Sequence, residues 1–190
     1  MAAIRSFICI DVPEEVKARI EAVQAKLRRV PADVSWTRPA NVHLTVKFLG
    51  DVEEARVSVL RTVLDEIARG CAPFELVTGC GGIFPRADRP RVLWIGIRDE
   101  RGALQALVTE VEDVLSRHGF PREPRPFTAH LTIGRVRSER SAHELVRRFL
   151  AEEFPSYRFR VTQLILMRSD LRPEGARYTP LHIAPLQGRS

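Results

Sequence analysis

An eight-residue motif occurs twice in this chain. HLTVKFLG, His43 to Gly50, returns as HLTIGRVR, His130 to Arg137, at an offset of 87 residues (130 − 43). A fixed internal period constrains the fold more than any local pattern does, because each copy becomes one supersecondary unit that buries its apolar face against its neighbour. The same offset aligns the flanks. IRSFICID (4–11) falls on RVLWIGIR (91–98), and FELVTGCGGIF (74–84) falls on VTQLILMRSDL (161–171). These flanks are apolar, rich in β-branched or aromatic residues, and of strand length.

Helical spacing appears between the aligned strands. Val16, Ile20, Val23 and Leu27 share one helical face, as do Val57, Leu60, Leu64 and Ile67, then Leu104, Leu107, Val111 and Leu115. Leu145, Val146, Phe149 and Leu150 predict a shorter fourth helix. Pro13 after Asp11 signals one helix start, and Asp51 with Glu54 three residues on has the form of a capping box for another. The order is β-α-β-α-β twice, with a further strand near Tyr178 to Ile183. No Gly/Ser-rich linker divides the halves; Pro85 to Pro90 is a short turn. The expectation is one α+β domain over residues 1–190, with repeat halves of approximately 1–86 and 87–190. Two pseudo-symmetric lobes would set antiparallel-rich sheets facing each other around a central cleft, with helices outside.

Nothing in the composition calls for a staple. A chain of 190 residues buries enough apolar surface to fold unaided. Cys9, Cys71 and Cys80 are odd in number and widely spaced, matching neither a disulfide framework nor a zinc pattern, so reduced and buried thiols are expected. Without a signal-like apolar segment or a run long enough to span a bilayer, the expected location is cytoplasmic, with no membrane association. The net charge of +6 favours approach to a polyanion, but only Lys17, Lys26 and Lys47 of the 30 basic residues are lysine. Such an arginine excess is also a product of GC-rich coding, so a merely solvated basic surface is an equal reading of the charge.

Side chains at i and i+2 of a strand share a face, so His43 lies with Thr45 and His130 with Thr132. Leu44, Val46, Leu131 and Ile133 point to the opposite, apolar side. Two such strands near the pseudo-two-fold axis would gather two imidazoles and two hydroxyls around one volume suited to an anionic tetrahedral centre. Hydrolysis of a cyclic phosphate needs a base for water and an acid for the departing ribose oxygen, and histidine serves either role near neutral pH. Threonine hydroxyls can donate to the phosphoryl oxygens as charge builds there. The scheme needs no metal or other cofactor. A single histidine on a strand is more often structural. That two of five histidines precede Leu-Thr has a chance probability on the order of 10⁻³ at average composition.

At these residues the chain resembles the two-histidine phosphoesterase superfamily, and within it the LigT-like RNA 2′,3′-cyclic phosphodiesterases. The resemblance runs through Phe7 to Pro13, Trp36 to Gly50, Arg91 to Gly96, Pro126-Phe127, HLTIGR, and the terminal Arg177-Tyr178-Thr179-Pro180-Leu181. It implies hydrolysis of RNA or nucleoside 2′,3′-cyclic phosphates to the 2′-phosphate, with no obligate protein partner. It also implies His43 as proton donor, His130 as proton acceptor, and Arg135 as a holder of the phosphate or nucleotide. Some relatives also join tRNA halves through a 2′,5′ linkage, a role not assigned here.

Strict alternation would turn Arg135 away from the cleft, unless a bulge at Gly134 re-aims it. Lys47 has cleft parity without help, and reads equally as a surface lysine. Phe7, Trp36, Phe48 and Phe127 offer rings for stacking on a base, although core packing accounts for each as well. Phe48 carries the parity of the apolar face. His118, His143 and His182 read as a helix end, a helix surface and an edge strand. Two rival functions share the cleft: an exoribonuclease that forms a cyclic phosphate, and a non-catalytic nucleotide-binding module.

Overall fold

A computed structural model describes residues 3–173 and 175–188, so residues 1–2 and 189–190 of the expected 1–190 unit lie outside the described residues, as does 174. The aligned flanks form the main strands: β1 (Ala3–Asp11), β3 (His43–Glu53) and β4 (Phe74–Arg86) in the first half, β5 (Arg89–Arg98), β6 (His130–Val136) and β8 (Gln163–Asp170) in the second. β9 (Arg177–Pro185) is the expected extra strand, while the short β2 (Val34–Trp36) and β7 (Arg158–Val161) are additions. The helices are α1 (Glu14–Leu27), α2 (Val57–Gly70), α3 (Ala103–Arg117) and α4 (Ala142–Ala151). Each buries the residues marked by its spacing, except Leu150, which is exposed.

The capping box does not form. Asp51 remains in β3, where it pairs with Arg5 of β1, and a 3₁₀ turn at Glu54–Arg56 precedes α2, whose start has no side-chain cap. Ladder pairing carried to Glu53 has displaced the local helix signal.

The strands form a curled antiparallel sheet in the order β7-β4-β5-β6-β3-β1-β8-β9, with β2 added beside β6. The two facing sheets are thus halves of one curled sheet, joined where Leu44 of β3 pairs with Leu131 of β6. Lobes and sequence halves do not coincide. β4 belongs to the first half but pairs with β5, and β8 belongs to the second but pairs with β1. The tight turn at Ala87 and Asp88 dictates the first exchange, since so short a connection can only fold β4 back against β5. One contiguous apolar core then draws on both halves and all four helices, with Val16, Leu44, Val111, Leu131 and Leu145 at 0 % exposure.

Candidate active site

β3 and β6 meet at the centre of the sheet and carry the two motifs. Leu44, Val46, Leu131 and Ile133 are buried in the core, and the residues between them, His43, Thr45, His130 and Thr132, are half-buried on the other face. The alternation breaks at the same place in both strands. Cys9 pairs with Thr45 but Ile8 with Lys47, leaving Val46 as an extra residue; Trp94 pairs with Thr132 but Leu93 with Gly134, leaving Ile133 extra. Each bulge reverses the parity of the residues beyond it.

Arg135 is consequently exposed on the histidine face, and the bulge expected near Gly134 is present one residue earlier. Gly134 turns to the helix side, where a Cβ would come within 3.0 Å of Val34 Cγ1 and 3.1 Å of the Trp36 ring. Lys47 and Phe48 exchange their expected sides. Lys47 is buried, donating to Glu112 Oε2 of α3 at 2.6 Å and to the Pro121 carbonyl at 2.9 Å, so it is neither a cleft nor a surface lysine. Removing one partner of such a buried pair typically costs about 3–5 kcal/mol. Phe48, assigned by parity to the apolar face, is 62 % exposed with its ring 6.1 Å from that of Phe7.

Both imidazoles are held alike at Nδ1. His43 Nδ1 lies 2.8 Å from the Asn41 carbonyl and His130 Nδ1 2.7 Å from that of Thr128. A carbonyl only accepts, so Nδ1 carries the proton and Nε2 is the nitrogen left for exchange. His43 Nε2 lies 3.1 Å from Thr45 Oγ1, which donates to it when the ring is neutral. No corresponding partner meets His130 Nε2 among the described residues.

Aromatic rings wall each histidine. Phe7 stacks on His43 at 4.7 Å and Tyr178 meets it edge-on at 5.2 Å, while Phe84 and Trp94 meet His130 edge-on at 5.0 and 6.1 Å. Burial lowers the pKa of His43 below the usual histidine value, opposed by the Asn41 carbonyl and the Asp11 carboxylate and assisted by charge on His130. Burial also lowers His130, opposed by the Thr128 carbonyl and assisted by Arg135. Burial raises the Tyr178 hydroxyl, against the pull of Arg135 and Arg5.

Sequence reasoning missed Tyr178, Phe84 and Trp94 as neighbours of the histidines. The repeat held a signal for one of them, since Trp94 lies 87 residues after Phe7. Of the proposed stacking rings, Phe7 lines the histidine face, whereas Trp36 and Phe127 pack against the core. His118 caps α3, His143 is exposed on α4, and His182 on β9 meets Asp65 at 2.7 Å, all away from the motif strands. Arg122 and Arg125 are tied to Asp113 and Glu123. Cys9 is buried and its thiol pushed up to about 12, but Cys80 is exposed, contrary to the expectation of buried thiols, where β4 loses register with β5 between Thr78 and Gly81. Among the described residues no group of three or more His, Cys, Asp or Glu could hold a metal ion, and no helix is long and apolar enough to cross a membrane.

The sequence pattern of the 2′-5′ RNA ligase superfamily matches residues 7–173. A Thermotoga maritima RNA 2′,3′-cyclic phosphodiesterase is 34 % identical over 97 % of both chains. One from Methanothermobacter thermautotrophicus is 31 % identical, covering 95 % of this chain and 97 % of its own. Among solved structures, a Thermus thermophilus protein superposes with a TM-score of 0.82 at 26 % identity, covering 98 % of this chain and all of its own. Escherichia coli LigT complexed with 3′-AMP gives 0.78 at 28 % identity, over 97 % of this chain and 98 % of LigT.

Proposed function

We propose that this chain, which belongs to the 2′-5′ RNA ligase superfamily, is an enzyme that hydrolyses RNA or nucleoside 2′,3′-cyclic phosphates to 2′-phosphates by two-histidine acid–base catalysis. The names of its relatives support the substrate class. The observation that carries the chemistry is the pair of Nδ1-anchored histidines on adjoining strands, each with a threonine on the same face.

In this reading His130 Nε2 takes a proton from water as its oxygen forms a bond to phosphorus. The bond from phosphorus to the ribose 3′ oxygen breaks, and His43 donates its Nε2 proton to that oxygen, leaving a 2′-phosphate and a free 3′-hydroxyl. The neighbours suit these roles. Asp11 favours the protonated state at His43, and Arg135 disfavours it at His130. Once His43 Nε2 is protonated it no longer accepts from Thr45 Oγ1, which frees the threonine hydrogen for a phosphoryl oxygen; Thr132 would donate from the other side and Arg135 would hold the phosphate or nucleotide. No step calls for a metal.

Incubation with a nucleoside 2′,3′-cyclic phosphate, with the product identified by ³¹P NMR, tests the reading. The expected product is the 2′-phosphate alone. The 3′-phosphate would reverse the leaving group, an unchanged substrate would leave a binding module, and release of cyclic phosphates from oligonucleotides instead would favour an exoribonuclease.

A further inference from the structure

Gln24 is 0 % exposed on the apolar face of α1, a position where leucine would serve packing better. Its Nε2 donates to two carbonyls, Thr37 at 2.7 Å and Ile133 at 2.9 Å. Ile133 is the extra residue of the β6 bulge. The same Ile133 carbonyl accepts from the Thr37 backbone N–H at 3.0 Å, so α1, the segment after β2 and the bulge converge on one oxygen. Gln24 Oε1 is buried with no partner among the described residues. A half-satisfied amide in an apolar core is a poor device for stability alone.

The bulge decides which way Arg135 faces. Without the extra residue, alternation would send Arg135 to the helix side and Gly134 to the histidine face. The first motif has a counterpart in which α3 supplies Glu112 to Lys47, the residue just after the Val46 bulge. A polar side chain from the first helix of one half or the other thus bonds the bulge residue in the second motif and the residue just after the bulge in the first.

We propose that Gln24 is a positioning residue whose carboxamide holds the Ile133 bulge in the register that keeps Arg135 beside His130 and Thr132. The proposal rests on reading that face as the phosphate site, but its test does not require turnover. Histidine NMR titrations would be compared for the unmodified protein, Arg135→Ala, Gln24→Met and the double variant. Removing Arg135 should raise the His130 pKa, because its charge opposes imidazolium formation. Gln24→Met should raise it in the same direction, and adding it to Arg135→Ala should produce no further rise. On the cyclic phosphate, both single variants should raise KM by roughly 10-fold, as misplacement of a binding group does.

An unmoved His130 in Gln24→Met, a further rise in the double variant, or an unmoved His130 in Arg135→Ala itself would each overturn the proposal. Should Gln24→Met fail to fold, Thr37→Pro removes the other donor to the Ile133 carbonyl from a partly exposed segment and is held to the same titration outcomes. Failure of the functional reading would look different, as normal turnover by Arg135→Ala despite a shifted His130.

Discussion

The two halves of the site are built alike and tuned apart. Each histidine anchors Nδ1 on the carbonyl two residues before it, and each motif strand carries a bulge after its threonine. The differences lie in the neighbours. Opposite His43 on the adjoining strand stands the carboxylate of Asp11, and opposite His130 stands Gly96, with Arg135 acting on the ring instead. A duplicated scaffold fixes where two imidazoles sit, and a few charges around it can make one a better acid and the other a better base.

The hardest test of that asymmetry removes the rings. His43→Ala and His130→Ala should each cost roughly 10²- to 10⁴-fold in kcat on the natural substrate. Replacing the leaving 3′ oxygen by sulfur gives a thiolate that departs without a proton. His43→Ala should then recover much of its rate while His130→Ala stays impaired, and the opposite pattern of rescue would exchange the roles.

Next in size are the hydroxyls. Thr45→Val and Thr132→Val should lower turnover by roughly 10- to 10³-fold with the fold intact, as expected for loss of a transition-state donor. Of the two threonines, Thr45 alone bonds a motif histidine's Nε2 among the described residues, so its variant should also move the alkaline limb of the pH profile. Unchanged turnover in both would remove the threonines from the reaction.

The charges can be read from pH. In the proposed scheme the base must be neutral, so kcat/KM should fall as pH drops through the pKa of His130. The acid must be protonated, so kcat/KM should fall as pH rises through that of His43. Burial lowers both, which places the profile acidic of the range set by the ordinary histidine value of 6.5. Arg135→Ala should shift the acid limb to higher pH and Asp11→Asn the alkaline limb to lower pH. Limbs that move together, or not at all, would refute the assignment of these neighbours.

Smaller effects belong to the surface. Arg122 and Arg125 already have carboxylate partners, so replacing either with alanine should alter the salt dependence of oligonucleotide binding less than Arg135→Ala does. Exhaustive chelation should have no effect on turnover. Loss of activity with recovery on adding a divalent ion would sink the two-histidine scheme in both halves at once.

The residues on the bulges explain how far the sequence could be read. His43, Thr45, His130 and Thr132 precede the bulges, and strict alternation put all four on one face. Lys47 and Phe48 lie beyond a bulge and came out reversed, because nothing in Leu-Thr-Val-Lys-Phe marks Val46 as the extra residue. In the second motif alternation also turns Arg135 away, and only the resemblance, with Gly134 as the hint of a bulge, brings it to the histidine face. The failed capping box at Asp51 and Glu54 has a related origin, since long-range pairing with β1 overrode a local preference. The exchange of β4 and β8 between lobes was also hidden, because an offset reports which segments are equivalent and not which become neighbours.

That exchange bears on the mechanics of the cleft. The seam between lobes is thin in register, one paired residue from each strand, and by itself would serve as a hinge. Yet the first half of the chain sends β2 and β4 across it and the second sends β8 and β9, so spreading the lobes would strain these covalent crossings as well as the seam. The chain thus stitches the two sides of the groove together. On the proposed function, a cyclic phosphate entering it would meet the two Nε2 atoms across a span set by the weave of the chain, with little binding energy diverted into closing the protein around it.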